Sequence, residues 1–556
     1  MRKILLMAAT AALEVGSAFC AEPDHLNAQE PVRPGYLERK PATDFSLPPV
    51  APEGTAVAPG AEDIVLDHVV FVGNTVVSTD ELQVVATSFL GKALSLADIE
   101  TLRQKVTLFY VDHGYVNSGA LLAEGALNQS TLTLQIIEGR LKEIRLRGLD
   151  GLNERYVADR LAAGDEVFNI LTLGERFQLL LTDPLISRMS GQLLPDAERG
   201  KAILNVDIER ALPYQLSLSA NNYRPVSVGA QNANLSGWLR NLTGYGDTLD
   251  ISYQGPLGNG KASRSALGWR IPLSRWGTQV SFNYDEGASS VIEQPTQTLD
   301  IQSRLVGKDI GLSQTVFESL KHKLTVGLNR VERENRTTML GAPFSFVPGE
   351  PSGTSQARDW RFWQEYTHRW ENQVVALRST FTKGENNQID VNAAPDARID
   401  PHYRVWLGQA QYAHRLFDNG TQFILRFNVQ ESPHRLIAME GMSVGGINTV
   451  RGYRENQLVR DTGVVTNVEM DFPLLADAAN KLSLNLVPFF DHGRARNKDE
   501  AAVVISSLGL ATRLRWQGLA IDLAVASRLE HPDTITRNSS DLQDKGVHLQ
   551  VSYSFF

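Results

Sequence analysis

Two short motifs near the C-terminus contain an arginine and an aspartate that could form a buried ion pair. Residues 445–453 carry Arg451 in a glycine-rich stretch, and residues 489–493 carry Asp491 in an apolar one. A guanidinium presents a planar fork of donors that can hold a carboxylate through two hydrogen bonds. The pair predicts an internal loop fixed against a wall, and the residues of this loop-to-wall anchor are Val450, Arg451, Gly452, Tyr453, Phe489, Asp491 and Gly493.

Patterns typical of enzymes are weak in this chain. Residues 441–445 match the G-x-S-x-G nucleophile elbow of hydrolases around Ser443, but that elbow needs a helix directly after it, and no amphipathic pattern follows. The 11 histidines show no metal-binding spacing, and no Walker-type phosphate loop occurs. We therefore expect no enzyme activity, no catalytic residue, no metal, no cofactor and no bound nucleotide.

Composition limits the partners that the chain can have. Its formal net charge is -9, which argues against a nucleic-acid partner because such proteins usually carry a basic excess. Outside the N-terminus no uninterrupted apolar stretch is long enough for a membrane-spanning helix. A membrane role would have to be carried by strands.

The N-terminus predicts export. Arg2 and Lys3 precede an apolar stretch and a cluster of small residues, which together indicate a signal peptide over residues 1–20. Cys20, the only cysteine, lies at this junction, so the folded protein has no disulfide. Lipid attachment to Cys20 is an alternative that the bulky Phe19 disfavours.

Prolines recur through residues 21–62 without any helical or strand period. Proline fixes φ and removes a hydrogen-bond donor, so this segment is predicted to be an extended or disordered leader or linker and not a domain. A flexible tether is the favoured interpretation, and a plug or an interaction arm is the alternative.

Residues 63–210 predict two small α+β modules, the first over 63–139 and the second over 140–210. In the first module a Ser95-x-x-Asp98 capping box opens the longer helix, and the element order is β-α-α-β-β. Its last two strands are predicted to start at residue 115 and near residue 132, with a loop at 123–126 between them. The second module repeats the pattern of strand and helix periods.

From residue 211 to residue 556 alternation of apolar and polar residues replaces the helical period. Alternation fits a soluble sandwich as well as a membrane barrel, whose apolar face points to lipid. The export signal, the uninterrupted length and the aromatic C-terminus favour an antiparallel transmembrane β-barrel of 14 to 18 strands, most simply 16 at about 10 residues each. Phe555 continues the apolar face of the last strand, whereas Phe556 is out of phase, and both are predicted to form the barrel assembly signal.

The two modules resemble polypeptide-transport-associated (POTRA) domains. The first is the more specific match, through residues 108–110, Gly114-Tyr115 and Ile137-Glu138-Gly139. One departure is the stretch Ala123-Glu124-Gly125-Ala126, where the family usually has Pro-Gln between its last two strands.

With these modules and a barrel, the chain resembles the TpsB transporters of two-partner secretion, the haemolysin secretion/activation (ShlB/FhaC-like) family of the BamA-like superfamily. Val450-Arg451-Gly452-Tyr453 matches the (V/I)RG(Y/F) tip of a loop that this superfamily folds into the barrel, here near 440–460. Residues 489–493 match the wall strand that receives the loop, and residues 241–247 match an early N-L-x-G-x-G-D hairpin.

The resemblance implies an outer-membrane pore whose POTRA domains lie in the periplasm. Their surfaces would recognise one unfolded TpsA-type exoprotein, and the pore would translocate it to the cell surface or medium without a nucleotide. Further implied partners are outer-membrane lipid and the barrel assembly machinery. Two alternatives are a BamA-like factor that inserts other barrels, and a passive porin, which would leave the modules and both motifs unexplained.

Overall fold

The computed structural model describes residues 44–46, 64–162, 166–346, 352–387, 399–530 and 541–555. The predicted signal peptide, nearly all of the predicted leader and Phe556 lie outside these residues. The chain divides into two units, one formed by Lys40–Ala211 and one that contains Leu212–Phe556. No helix among the described residues is long and apolar enough to cross a membrane.

The first module packs two capped helices on a three-stranded sheet. Helix α1 (Thr79–Ala86) starts at a capping box of Ser78 and Glu81, and α2 (Leu96–Asp112) starts at the predicted box of Ser95 and Asp98. Each box satisfies amide groups that the helix itself leaves free. The strands are β2 (Ile64–Val65), β3 (His68–Val72), β4 (Ala93–Leu94), β5 (Gly119–Asn128) and β6 (Thr131–Ile137), and the sheet order is β3-β6-β5.

The prediction of a loop at residues 123–126 is wrong. Strand β5 begins later than predicted, because a turn joins the amide of Ser118 to the carbonyl of Tyr115 at 3.0 Å. The strand then continues through the expected loop, where its register against β6 shifts between Leu122 and Leu127. Gly125 has φ +76, which a glycine adopts without strain, so the additional residues leave the ladder as a bulge. The chain reverses at residues 129–130.

The second module has the same elements in a related order. Its strands are β7 (Arg140–Arg147), β8 (Ile186–Pro195) and β9 (Lys201–Arg210), and its helices are α3 (Glu154–Leu161) and α4 (Ile170–Leu180). The Asn153 and Asn169 side chains cap these helices. A short strand from the leader, β1 (Asp44–Ser46), pairs in parallel with Ser190–Gln192 of β8, so the sheet order is β1-β8-β9-β7.

Sixteen spanning strands close an antiparallel barrel, which confirms the predicted fold class. They are β10 (Tyr214–Asn221), β11 (Asn232–Arg240), β12 (Thr248–Pro256), β13 (Ala262–Pro272), β14 (Thr278–Ser290), β15 (Gln302–Glu318), β16 (His322–Met339), β18 (Thr354–Arg369), β19 (Gln373–Asn386), β20 (His402–Arg415), β21 (Gln422–Glu431), β24 (Thr462–Asp477), β25 (Leu482–Arg496), β26 (Val503–Trp516), β27 (Leu519–Arg528) and β28 (Val547–Ser554). Two-residue β17 (Ala342–Pro343) belongs to a loop, and β28 pairs with β10 to complete the ring.

Side chains alternate across the barrel wall as a membrane barrel requires. On β26 the outward Leu508 and Leu510 are exposed, whereas the inward Ser507 and Ala511 are buried. Directly after the last strand Phe555 is exposed, its ring lies 5.1 Å from that of Tyr553, and its amide donates to Leu216 of β10. Apolar side chains therefore face outward, and small, polar or charged ones face inward.

Candidate functional site

A long loop between β21 and β24 folds back against the inward face of the barrel wall. It contains a small hairpin of β22 (Met442–Val444) and β23 (Leu458–Arg460). The chain turns at Gly445 and Gly446, whose φ values are +114 and +103. A β-carbon on Gly446 would overlap the carboxylate of Glu455, so the turn needs glycine for its backbone angle and for space.

The loop brings Arg451 onto Asp491 of β25. Arg451 Nε donates to Asp491 Oδ2 at 2.7 Å, Nη2 donates to Oδ1 at 2.8 Å, and the backbone amide of Arg451 adds a third bond to Oδ2 at 3.0 Å. Asp491 is 0% exposed and Arg451 is 4% exposed. The two sequence motifs thus meet as a bidentate, fully enclosed ion pair, a geometry that fixes orientation as well as distance.

The remaining motif residues pack around this pair. The guanidinium carbon of Arg451 lies 3.5 Å from the ring centre of Phe489, a cation–π contact. Val450 is fully buried and touches the wall at Gly493, where a β-carbon would lie 2.8 Å from Val450 Cγ2. The hydroxyl of Tyr453 lies 2.7 Å from the backbone carbonyl of Glu530 and 3.0 Å from that of Ser506.

Gly452 provides backbone contacts that few other residues could provide. It has φ +91, and a β-carbon there would lie 2.8 Å from that of Ala526. Its amide donates to His548 Nε2 at 3.1 Å, and its carbonyl accepts from Arg528 Nε at 2.5 Å. The loop tip is thereby tied to β27 and β28 as well as to β25.

The predicted pair is the centre of a larger buried network that the sequence did not reveal. Glu469 of β24 is 1% exposed and accepts from three arginines at 2.8–3.1 Å, one in the loop and two in the wall. Asp471 accepts from one of those wall arginines at 2.8 Å, and Asn467 donates to Asp491 at 2.8 Å. Three guanidiniums face three carboxylates, namely Arg426, Arg451, Arg513, Glu469, Asp471 and Asp491.

Two further ion clusters hold the same loop. Arg454, directly after the tip, donates to Asp544 at 2.6 Å and 2.8 Å and to Glu293 at 3.0 Å, and these carboxylates belong to two other loops. At the base of the loop Glu440 accepts from Arg361 of β18 at 2.9 Å. The sequence offered one signal for the wall part of these networks, the alternation of Asn467, Glu469 and Asp471 on the inward face of β24.

The serine of the apparent nucleophile elbow is not arranged for hydrolysis. Ser443 lies in β22, which is followed by the glycine turn and not by a helix, and its hydroxyl donates to Asn456 Oδ1 at 2.6 Å. Within the described ranges no group of three or more His, Cys, Asp or Glu side chains is placed to hold a metal ion.

Comparison with known proteins assigns the chain to a family. The family model described as "Haemolysin secretion/activation protein ShlB/FhaC/HecB" matches residues 200–515, which is more than half of the chain, and the model "POTRA domain, ShlB-type" matches residues 64–139. The chain belongs to the ShlB/FhaC/HecB family. It is therefore a TpsB two-partner secretion transporter, an outer-membrane pore with POTRA domains in the periplasm.

Individual relatives are distant but similar over most of their length. The outer membrane transporter CdiB of Dickeya dadantii is 22% identical over 81% of this chain and 80% of its own. The heme/hemopexin transporter protein HuxB of Haemophilus influenzae is 26% identical over 82% of this chain and 79% of its own. The solved structure of CdiB from Escherichia coli has a TM-score of 0.70 at 20% identity and covers 98% of both chains, so it shares the fold.

Two ends of the TpsB barrel can be told apart by their connections. Turns at the end where β10 begins are short, such as residues 517–518 between β26 and β27. Connections at the opposite end are long, such as residues 432–461 and 529–546. Outer-membrane barrels have short periplasmic turns and longer outer loops. The end at which β10 begins is therefore periplasmic, as expected for a strand that directly follows the POTRA domains in the chain.

The early hairpin motif forms one of these periplasmic turns and satisfies its own polar groups. Asn241 has φ +62, and its side chain accepts from the amide of Gly246 at 3.0 Å. The carboxylate of Asp247 accepts from the Thr243 amide at 2.8 Å and from the indole of Trp269 at 2.9 Å. The motif residues thus fix the turn between β11 and β12.

In the first POTRA domain, Glu138 of the matched Ile-Glu-Gly sequence joins the end of the sheet to the start of α1. Its carboxylate accepts from the amides of Thr75 and Val76 at 2.6 Å and 2.9 Å and from the hydroxyl of buried Tyr110 at 3.4 Å. Burial alone would raise the pKa of Glu138, but these hydrogen bonds outweigh it and lower the pKa below its ordinary value.

We expect Glu138→Gln to increase amide hydrogen exchange at residues 75–76 about fivefold to thirtyfold in the full-length protein. The reason is that a charge-assisted hydrogen bond is worth about 1 to 2 kcal/mol more than the neutral contact that replaces it. Because a lowered pKa stabilises the fold only while the carboxylate is ionised, the wild-type protection should be full above the ordinary pKa of a glutamate and should fall as the pH drops below it. Glu175→Gln, on the exposed side of α4, is the matched control; equal exchange in both variants would refute the role of Glu138.

Proposed function

We propose that the POTRA domains capture one unfolded TpsA-type exoprotein and pass it through the barrel once the inward loop has moved. Membership of the ShlB/FhaC/HecB family is the observation that supports this proposal most strongly, because its members are secretion proteins. The relatives named CdiB and HuxB are described as transporters, in agreement with this. No catalytic step is needed, since folding of the exoprotein outside can drive its transport.

Capture is proposed to use strand addition at the β8 edge of the second POTRA domain. Support comes from β1, three residues of the leader, which already pairs with Ser190–Gln192 at this edge. An edge that accepts one extended segment through backbone hydrogen bonds can accept another of different sequence. The leader would then occupy the edge until an exoprotein strand displaces it.

Passage through the barrel is proposed to require release of the loop between residues 432 and 461. Arg451, Arg454 and Glu440 each hold this loop by buried or half-buried ion pairs. Buried ion pairs are strongly orienting but contribute little net free energy compared with apolar packing, because both charges lose their hydration. A loop fixed in this way has a defined resting position and can leave it when competing contacts form.

Two further partners are part of this proposal. The exposed outward leucines and aromatic residues of the barrel would contact outer-membrane lipid, since apolar strands at a barrel surface are stable only there. Phe555, with Phe556 outside the described residues, would be recognised by the barrel assembly machinery.

The test is secretion of the cognate exoprotein by cells that express wild type or a chain lacking residues 64–138. We expect secretion to fall at least tenfold in the deletion while folded barrel, measured by its heat-modifiable mobility, stays in the outer membrane. Ser190→Pro places a proline in the part of β8 that pairs with β1, without deleting a domain. Glu175→Gln is the control. If instead the exoprotein is secreted normally and other barrels fail to assemble, the BamA-like alternative is correct.

A further inference from the structure

A cavity on the outward face of the barrel, at its outer end, is lined by cations and hydroxyl groups. Its volume is about 570 Å³, and the side chains around it come from strands β12 to β16 and the loop before β13. Three of the lining residues are basic, namely Lys261, Arg304 and Arg336, and none is acidic. Nothing in the loop network or in the proposed secretion mechanism uses these residues.

The register of the sheet places two of the cations directly opposite each other. Arg304 of β15 pairs with Arg336 of β16, so their β-carbons lie about 5 Å apart on the same face of the sheet. Like charges at opposed positions destabilise a sheet unless an anion lies between them. The arrangement therefore favours an anionic ligand.

Carboxylates hold each guanidinium from one side only. Arg304 Nε donates to Glu286 at 2.9 Å, and Arg336 Nε donates to Glu334 at 2.7 Å. Both glutamates lie next to the two arginines on the side toward the middle of the barrel. They therefore fix the direction of the two arginine side chains. More than half of each arginine side chain is exposed, and within the described ranges the ammonium of Lys261 has no ion pair. Free donors thus remain on the cavity side.

The height of the cavity excludes an ordinary phospholipid headgroup. On β15 the contiguous outward apolar residues end at Ile310, and Arg304 lies six residues further toward the outer end. At about 3.3 Å per residue and a strand tilt of about 40°, this places Arg304 about 15 Å above Ile310. The polar zone of one leaflet is only about 5 to 8 Å deep. A ligand that belongs to the membrane must carry its negative charge on an extended headgroup.

Neutral lining groups suit a sugar. Beside the cations lie the phenol of Tyr253, the amide of Gln302 and hydroxyl side chains of Ser263, Ser290 and Thr338. These groups can donate to and accept from sugar hydroxyls, while arginine forks bind phosphate or carboxylate groups.

We infer that this cavity binds the anionic saccharide headgroup of an outer-leaflet glycolipid. Arg304 and Arg336 together contact one phosphate or carboxylate group of the headgroup. Lys261 contacts the same anionic group or a second one, and the residues with hydroxyl side chains contact the sugar rings. The bound glycolipid contacts the exposed side of both arginines, away from Glu286 and Glu334, and holds β13 to β16 in the outer leaflet.

The experiment measures binding of lipids to the purified full-length protein in detergent by native mass spectrometry. The probes are rough lipopolysaccharide with a phosphorylated core, phosphatidylglycerol and inorganic phosphate. We expect wild type to retain the lipopolysaccharide, Arg304→Gln and Arg336→Gln to weaken it about fivefold each, and the triple variant with Lys261→Gln to weaken it about a hundredfold. Arg275→Gln, at a periplasmic turn, is the matched control and should bind as wild type does.

Three outcomes would overturn the inference. The triple variant could bind as tightly as wild type, the Arg275→Gln control could lose as much affinity as the triple variant, or phosphatidylglycerol or inorganic phosphate could bind as tightly as the glycolipid. Heat-modifiable mobility shows that each variant is folded. Should the triple variant fail to fold, the single variants still decide, because their arginines are on the surface.

Discussion

Replacing Arg451 with alanine is expected to release the inward loop and to lower secretion at least tenfold while the barrel stays closed. The change leaves Asp491, which is 0% exposed, without its bidentate partner, and it also removes one donor from Glu469. Breaking one side of a buried ion pair costs about 3 to 5 kcal/mol. This cost falls on the contact between loop and wall and not on the strand ladder. Hydrogen exchange of the amides at residues 450–453 should therefore increase at least a hundredfold.

Arg460→Ala is the control for this experiment because Arg460 lies in the same loop and its guanidinium donates to a backbone carbonyl, that of Val459. A double variant, Arg451→Ala with Asp491→Ala, removes both charges and should be less harmful than the sum of the single variants. Strict additivity would show that the two residues act independently, and unchanged exchange at residues 450–453 would show that the pair does not hold the loop.

How much the sequence could predict depends on whether a feature repeats along the chain or arises from distant strands. Alternation such as that of Leu508 and Leu510 with smaller inward residues is local, so the strands could be predicted from it. The export signal, the length and the aromatic C-terminus then favoured a barrel of about 16 strands. Arg451 and Asp491 could be named because each lies in a recognisable motif.

The larger networks around the loop had no such local signal. Arg454 meets Glu293, which is 161 residues away in sequence, and Asp544, which is 90 residues away. Which carboxylate faces which arginine depends on the strand register and on the course of three loops. Neither of these can be predicted from the sequence of a single segment. The bulge in β5 was not predicted for a related reason. A glycine such as Gly125 is typical of a turn and also of a bulge, so its presence does not show whether the chain reverses there.

Replacing Glu469 with glutamine is expected to weaken the barrel wall as well as the loop, which distinguishes it from replacing Arg451. Glu469 accepts from Arg426 and Arg513 of the wall and from Arg451 of the loop. The amide has nearly the same shape but no charge, so one buried and two partly buried guanidiniums would face two carboxylates. We expect a loss of about 3 to 5 kcal/mol, seen as a lower temperature for the heat-modifiable shift and as faster exchange at the loop tip.

Charge balance, and not the identity of one side chain, should decide the size of this effect. Glu469→Gln combined with Arg426→Gln restores an equal number of cations and anions, two of each, and should recover part of the lost stability. Glu371→Gln, at an exposed periplasmic turn, should change nothing. If the double variant is as unstable as Glu469→Gln alone, the network depends on the particular hydrogen bonds of Glu469. If it recovers, the six charged residues act as one neutral unit that positions the loop, and the resting state of the transporter is a property of that unit.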